Sequence, residues 1–530
     1  VDAGWSTEIA IKQKAGAPIR FHRIGTGSRE NETQNAKGRK RMAKARVAII
    51  GAGLGGLCAA AKLKEAGHQD IIILEKAQSV GGTWRDNQYP GCACDTPVAL
   101  YQFSFFPSIK WNHLFPRAHE VHQYAQDMAD AFQLQPHLRL GDEAVSAVWS
   151  DAEKHWTLKT RAGQTYVVDA IVPALGQLNR PQWPNIPGRD RFAGPSMHSA
   201  RWDPSISLAG KRVACIGSAA SAVQLIPEVA KVAGHLSVFQ RTPNWVISRL
   251  DRKVSDEEKA LLMSDIEAAI KLGAMNRQLI YDNADHFFWQ AFQWTPAGRA
   301  AFTRQALDKL ESEVPDPELR KKLTPDYPIG CKRILITDDF LPTMIRPNVS
   351  LVTQAIERIT PTGVQTSDGV SHDFDVLIYA TGFETTGWQW SLDVVGEGGA
   401  RLADVWREAP QAYLGITAAG FPNMFMLYGP NTNLGHNTIT FMIEQQVSYL
   451  TKALAGLEQR GRKAMSVSQS AQDRFNAALQ AQLAHSVWAD PGCASWYKTA
   501  DGRITQNWGS HTRDYAKATA EVQYEDYQLA

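Results

Sequence analysis

The chain of 530 residues has no uninterrupted apolar stretch approaching the roughly 20 residues that cross a bilayer. It also has no basic segment followed by an apolar one near its start, so neither a membrane span nor a secretory leader is read from it. The net charge is only +2 with 21% charged residues. No field of one sign exists to draw in nucleic acid or a membrane surface. Cysteine is sparse: Cys58, Cys92, Cys94, Cys215, Cys331 and Cys493 are scattered, imply no disulfide framework and fit a reducing cytoplasm. Cys92 and Cys94 lack the two-residue spacer of a dithiol reductase and have no histidine or cysteine cluster beside them for zinc, so they are read as packing, and no metal is expected. A soluble, cytoplasmic protein without low-complexity tracts is expected.

What is present is a repeated strand-turn-helix unit with two different endings. The first reads RVAIIGAGLGGLCAAAKLKEAGHQDIIILEK, with Gly51, Ala52, Gly53 and Gly56 at the turn and Glu75 at the tip of the next strand. The second reads KRVACIGSAASAVQLIPEVAKVAGHLSVFQRTPNW, opening at Gly217, Ser218, Ala219, Ala220, Ser221 and Ala222 and ending on Arg241 and Thr242. From Gly51 to Glu75 and from Gly217 to Arg241 the separation is the same, 24 residues. Each turn brings the backbone close to a pyrophosphate, which then rests on amide groups at the positive end of the following helix. A carboxylate at the strand tip accepts hydrogen bonds from a free ribose diol, as FAD or NAD requires, whereas an arginine pairs with a 2'-phosphate and favours NADP. The methyl of Ala219 limits how closely a phosphate approaches the second turn. Together the endings point to a hydride passed from NADPH to FAD.

Apolar runs closed by glycine recur at DAIVPALG and at FDVLIYATGF, flanking the second unit. The expected architecture is α/β with two dinucleotide-binding, Rossmann-like domains, the NADP domain inserted in the FAD domain with crossings near Gly176 and Gly382. The boundaries read are an N-terminal extension 1–41, with Met42 as a natural start, a first FAD-domain segment 42–179, the NADP domain 180–371, and a second FAD-domain segment with a C-terminal loop, 372–530. Residues 251–328, charged and alanine-rich, read as a helical subdomain within the NADP domain. Sixteen tryptophans suit packed cores and flat-ligand pockets.

Between the two units lies FAGPSMHSARWD. This resembles the fingerprint of type I Baeyer-Villiger monooxygenases, the class B flavoprotein monooxygenases: Phe192, Gly194, His198, Trp202 and Asp203 fall at its positions. GGTWRDNQYPGCACD, ATGF and YGPNTNLGHNT resemble further marks of the same family, and the likeness runs from Val47 to Tyr527. The resemblance implies that Arg333, in GCKRILITDDF, is the catalytic cation that stabilises an anionic C4a-peroxyflavin and the Criegee oxygen that follows. A guanidinium keeps its charge in an apolar site where a lysine loses its proton.

The same resemblance implies that Asp95 orients Arg333 and that His198 makes a domain-linking hydrogen bond, with Trp202 as packing. Lys332 is then the second cation for the 2'-phosphate beside Arg241. Thr83, Trp84, Asp95 and Tyr101 lie along the isoalloxazine, and Val145 meets the adenine through its backbone. Asn431 and Gly435 lead into a helix facing the flavin pyrimidine oxygen, and the strand closed by ATGF belongs to the flavin domain. A loop after Asp490 folds over NADP and substrate with either Trp496 or Trp508. The implied activity is NADPH- and O2-dependent conversion of ketones to esters or lactones, with sulfoxidation as a side activity. The alternatives are an N- or S-oxidising flavin monooxygenase and a non-catalytic NADPH or redox sensor. The sequence leaves open which ketone is taken, although Trp388 and Trp390 are expected near the pocket, and it leaves the oligomeric state open.

Overall fold

The computed structural model describes residues 44–293, 295–385 and 392–530. The extension 1–41, Met42, Trp388 and Trp390 lie outside the described residues. Val47–Ile50 is fully buried on both faces, as a central parallel strand of branched aliphatics should be. It runs parallel to Ile71–Glu75 and to Ala170–Pro173, and Leu138–Leu140 completes a four-stranded parallel sheet. Helix Leu54–Glu65 crosses between the first two strands, its small residues buried. It packs against helix Ile439–Arg460: a Cβ on Gly55 would lie 3.7 Å from the Ile443 side chain.

The second unit repeats this plan. Strands Arg212–Ile216 and His235–Phe239 flank helix Ala220–Val232, and the sheet grows to five parallel strands through Val349–Val352, Val376–Tyr379 and Ser196–His198. The architecture is thus α/β with two Rossmann-like units, one lying within the chain of the other. An antiparallel hairpin sheet, residues 144–168, is attached to the first unit.

One expectation is corrected. Val376–Tyr379, closed by ATGF, does not return to the first sheet but pairs in parallel with Arg212–Ile216 of the second. The physical reason lies in the turns. Gly51 has φ +107°, and a Cβ there would sit 2.6 Å from the carbonyl of Ala174, just past its neighbouring strand; Gly217 has φ +113° and would meet the Ala380 carbonyl at 2.4 Å. Each glycine turn therefore needs its own parallel strand ending beneath it. The chain regains the first unit afterwards, where Phe425 and Leu427 donate backbone hydrogen bonds to Ile171 and Pro173.

The two crossings run side by side as an antiparallel pair: Gln182 donates to the Gly382 carbonyl at 2.8 Å, Glu384 to Arg180 at 2.9 Å, and Thr381 Oγ1 to the Gln182 carbonyl at 2.6 Å. The segment expected to be helical contains helices Asp256–Ser264, Ile266–His286, Pro296–Glu313 and Pro317–Leu323. Among the described residues no helix is long and apolar enough to cross a membrane, and no cluster of side chains is suited to a metal ion.

The cysteines bring a second correction. Cys331 and Cys493, from a scattered set expected to imply no disulfide framework, form a disulfide, while Cys58, Cys92, Cys94 and Cys215 are free and buried.

Candidate active site

At the first turn the backbone is shaped for a phosphate. A Cβ on Gly56 would come within 1.9 Å of the Gly51 carbonyl, whereas at Gly53 the nearest atom is the Cα of Gly82 at 3.8 Å, leaving an open approach. The helix that follows starts at Gly53 with no side-chain cap, so its first amides have no side-chain acceptor. Glu75 is buried and aimed back at this turn: Oε2 accepts from the Ala52 amide at 2.8 Å, Oε1 from the Ala77 amide at 2.9 Å, and Arg85 Nη1 approaches at 3.2 Å. Val145 sits at the β-bulge between Ala144 and Ser146, where ladder pairing is interrupted.

The second helix also starts without a side-chain cap, on Ala219. Asn244 braces this turn by donating to the Ser218 carbonyl at 2.9 Å, and Ser218 Oγ lies 3.5 Å from the Thr242 carbonyl. Ala222 is fully buried in the second core, so its methyl packs inward, while Ala220 is exposed and Ser221 partly so. Arg241 is exposed at the strand tip. The structure brings Lys332 to it: the ammonium lies 4.4 Å from the Tyr327 ring centroid, and its pKa is lowered by burial and then by the charge of Arg241. Two cations that repel one another in the free protein form a suitable seat for a doubly charged phosphate.

Arg333 grips Asp95 through two parallel bonds, Nε to Oδ2 at 2.6 Å and Nη2 to Oδ1 at 2.7 Å. About a third of each side chain is exposed, 35% and 30%. The Asp95 charge raises the guanidinium pKa, outweighing desolvation, so the cation is permanent. Tyr428 and Tyr497 stand close enough to feel that charge, and the Tyr497 hydroxyl faces the Arg333 backbone amide. Trp84 Nε1 donates to Tyr101 Oη at 3.0 Å with the rings edge to face, and Thr83 opens the short helix carrying Trp84. Trp84, Tyr101, Asp95 and Arg333 are thus brought together from three stretches of sequence.

His198 is placed at the crossings rather than at the reacting centre. It is fully buried, Nδ1 accepts from the Ala200 amide at 3.0 Å, and the ring lies beside Trp183 and Phe383. Nε2 faces the Gly382 backbone without completing a full hydrogen bond. Burial, with Arg201 nearby, pushes its pKa down to about 4, so the ring is neutral at neutral pH. Trp202 packs against the second core. Asn431 is committed to the C-terminal segment: its side-chain amide donates to the carbonyls of Ile504 and Asn507. The helix expected after Asn431 and Gly435 begins at Ile439, with Thr438 capping it through Thr440. Gly435 has no room for a side chain, since a Cβ would meet the Phe292 ring at 2.5 Å.

Several positioning residues gave no local sequence signal. Gln224, on the second helix, bonds Tyr89 and the Ala93 backbone of the first unit, latching the two together. Asp285 accepts hydrogen bonds from His436, Asn437, Thr512 and the Arg513 amide, tying the helical insert to the C-terminal half. Of the two loop tryptophans, Trp508 is buried and bonded to the His511 carbonyl, whereas Trp496 is 38% exposed and lies against Tyr497.

This fold, with two Rossmann-like units whose glycine turns open helices without side-chain caps and a permanent cation at Arg333, defines an oxidoreductase of the paired-dinucleotide class. Residues 48–279 match the family model described as pyridine nucleotide-disulphide oxidoreductase. A Baeyer-Villiger monooxygenase of Streptomyces coelicolor is 40% identical over 485 residues, 91% of this chain and 92% of that one. Another from Pseudomonas aeruginosa is 36% identical over 490 residues, 91% of each. Among solved structures, closed cyclohexanone monooxygenase superposes with TM-score 0.81 at 30% identity, and OTEMO in complex with FAD and NADP with TM-score 0.82 at 27%, each match covering 92% of this chain and 99% of the other. The chain belongs to the Baeyer-Villiger monooxygenase family.

Proposed function

We propose that this chain is an FAD-containing, NADPH- and O2-dependent monooxygenase that inserts one oxygen atom beside a ketone carbonyl, giving an ester or lactone and water. The observation that carries this reading is the bidentate Asp95–Arg333 pair in a chain with two glycine turns of opposite strand-tip charge. Gly51, Ala52, Gly53 and the uncapped helix would hold the FAD pyrophosphate, Gly56 allows the close helix-to-turn packing, Glu75 reads the ribose and Val145 the adenine. Thr83, Trp84, Asp95 and Tyr101 would line the ring, with Asn431 and Gly435 shaping the wall beyond. Residues Gly217 to Ala222 take the NADPH pyrophosphate, and Arg241, Thr242 and Lys332 its 2'-phosphate. On this reading the FAD domain comprises residues up to 179 and again from 383, with the NADP domain between them.

Bound FAD, once reduced by NADPH, supplies the activated oxygen. The residues of this chain do the rest by position and charge. Arg333 holds a fixed positive charge where negative charge accumulates, first on the attacking oxygen and then on the former carbonyl oxygen, and Asp95 keeps the guanidinium in place. Tyr428 and Tyr497 stand close to the Arg333 charge, and His198 braces the two-stranded crossing between the domains.

Incubating the holoenzyme with NADPH, O2 and a panel of aryl, cyclic and linear ketones, with mass spectrometry of the products, tests the reading. Ester or lactone from at least one class is expected. Turnover confined to amines and thioethers would refute it.

A further inference from the structure

Arg333 stands on a segment with almost no regular structure. Helix Pro317–Leu323 ends ten residues before it, and the strand after it is only Leu335–Ile336. The C-terminal segment it faces is similarly irregular: from Asp490 to His511 there is no helix and no strand. Yet the charge must be held steady, because misplacing a catalytic group by about 1 Å costs on the order of a hundredfold in rate. The disulfide Cys331–Cys493 joins these two segments, with Cα atoms 5.4 Å apart across 162 residues of sequence. Cys331 is two residues from Arg333, and Cys493 is three and four residues from Trp496 and Tyr497. Tyr497 in turn lies near the Arg333 backbone. The disulfide is the covalent tie between the arginine turn and this loop.

We propose that the Cys331–Cys493 disulfide is a positioning bond for Arg333, fixing the arginine turn and the Trp496–Tyr497 loop to one another. Its burial bears on the kind of device it is. Cys331 and Cys493 are 0% and 1% exposed, in a cluster with Ile329, Val487, Trp488 and Tyr497. Trp488 Nε1 donates to the Gly330 carbonyl at 3.1 Å and Lys498 Nζ to the Trp488 carbonyl at 3.1 Å, so a reductant must wait for local opening. The bond is a resident constraint. When an external dithiol does reduce it, the S–S bond breaks, two electrons and two protons pass to the cysteines, and the dithiol closes to its own disulfide.

The proposal rests on the role given to Arg333 above, so its test includes measurements that do not depend on ketone oxidation. Alkylation of the denatured, unreduced holoenzyme followed by mass spectrometry should label four of the six cysteines, and all six after reduction. Cys331→Ser, Cys493→Ser and the double variant should each lose about tenfold or more in ester formed per NADPH, with equal losses, because either substitution alone breaks the bond. Wild type reduced with dithiothreitol should behave like them. Tryptic cleavage of the holoenzyme after Lys498 or Arg503 should quicken at least tenfold in the same three proteins. Six labelled cysteines before reduction, or a cleavage rate unchanged by the single substitutions, overturns the proposal whatever the turnover. Losses that differ between the singles and multiply in the double overturn it as well, since they would mark two independent packing defects.

Discussion

The pairing of Arg241 with Lys332 makes the coenzyme preference of the second unit a quantitative matter. Replacing Arg241 by alanine removes a charge-assisted contact to a 2'-phosphate, of the kind that contributes about 1.5–3 kcal/mol. Arg241 is exposed, and screening by solvent and salt puts its share at the lower end. The expected loss in kcat/KM for NADPH is therefore about ten- to thirtyfold, appearing as a rise in KM, while the value for NADH stays within about twofold. Lys332→Ala should cost about tenfold more on top.

The two residues are also coupled through protonation. The Lys332 pKa is lowered by burial and then by the Arg241 charge, so NADPH affinity should fall as pH rises through that depressed pKa. In Arg241→Ala one of the two causes is gone, and the fall should move to higher pH. The assay is steady-state NADPH and NADH oxidation between pH 6.5 and 10 at low and high salt, with the free protein's Lys332 followed by NMR. Equal losses for the two coenzymes, or a pH profile that Arg241→Ala leaves in place, would refute the reasoning that these residues read a 2'-phosphate.

Other outcomes follow from the same geometry. Asp95→Asn should lower ester formation about ten- to a hundredfold, and added to Arg333→Ala it should cost almost nothing further, because Asp95 acts through the arginine; a double variant showing the product of the two single losses would contradict this. For His198 the folded pKa of about 4 lies below the ordinary 6.5. Its contribution is present in full above 6.5 and is lost as pH falls toward 4, about 3 kcal/mol in all. His198→Gln should accordingly flatten the fall in urea stability between pH 7 and 4, and an unchanged slope would count against a buried neutral ring. Asp285→Ala leaves His436, Asn437 and Thr512 without their acceptor, and should lower unfolding stability by about 3 kcal/mol without altering the coenzyme preference.

The features legible in the sequence were those whose cause is local. Gly51, Gly56 and Gly217 are dictated by backbone clashes within a few residues or against a neighbouring strand, and Glu75 and Arg241 by their distance along one βαβ unit. The sheet membership of Val376–Tyr379 was not legible. It and Ala170–Pro173 share the same apolar, glycine-closed pattern, and such a pattern encodes burial but not which sheet is joined. The Cys331–Cys493 bond spans 162 residues, and nothing in the spacing of six scattered cysteines distinguishes it. Gln224 and Asp285 escaped notice for a related reason: each looks like an ordinary polar residue on a helix until the opposing unit is folded against it. The motifs around Arg333 and Asp95 pointed to their partnership, whereas the two-bond geometry of the grip across 238 residues came from the fold.

A fixed positive charge at residue 333 is the central requirement, and the partition of reducing equivalents measures it. With 18O2, NADPH and an accepted ketone, the wild-type holoenzyme should yield ester carrying one 18O atom with little hydrogen peroxide. Arg333→Ala should keep its FAD and still oxidise NADPH, but form ester about a hundred- to a thousandfold more slowly, with hydrogen peroxide in its place. Labelled ester formed by Arg333→Ala at the wild-type rate would contradict the role assigned to that charge.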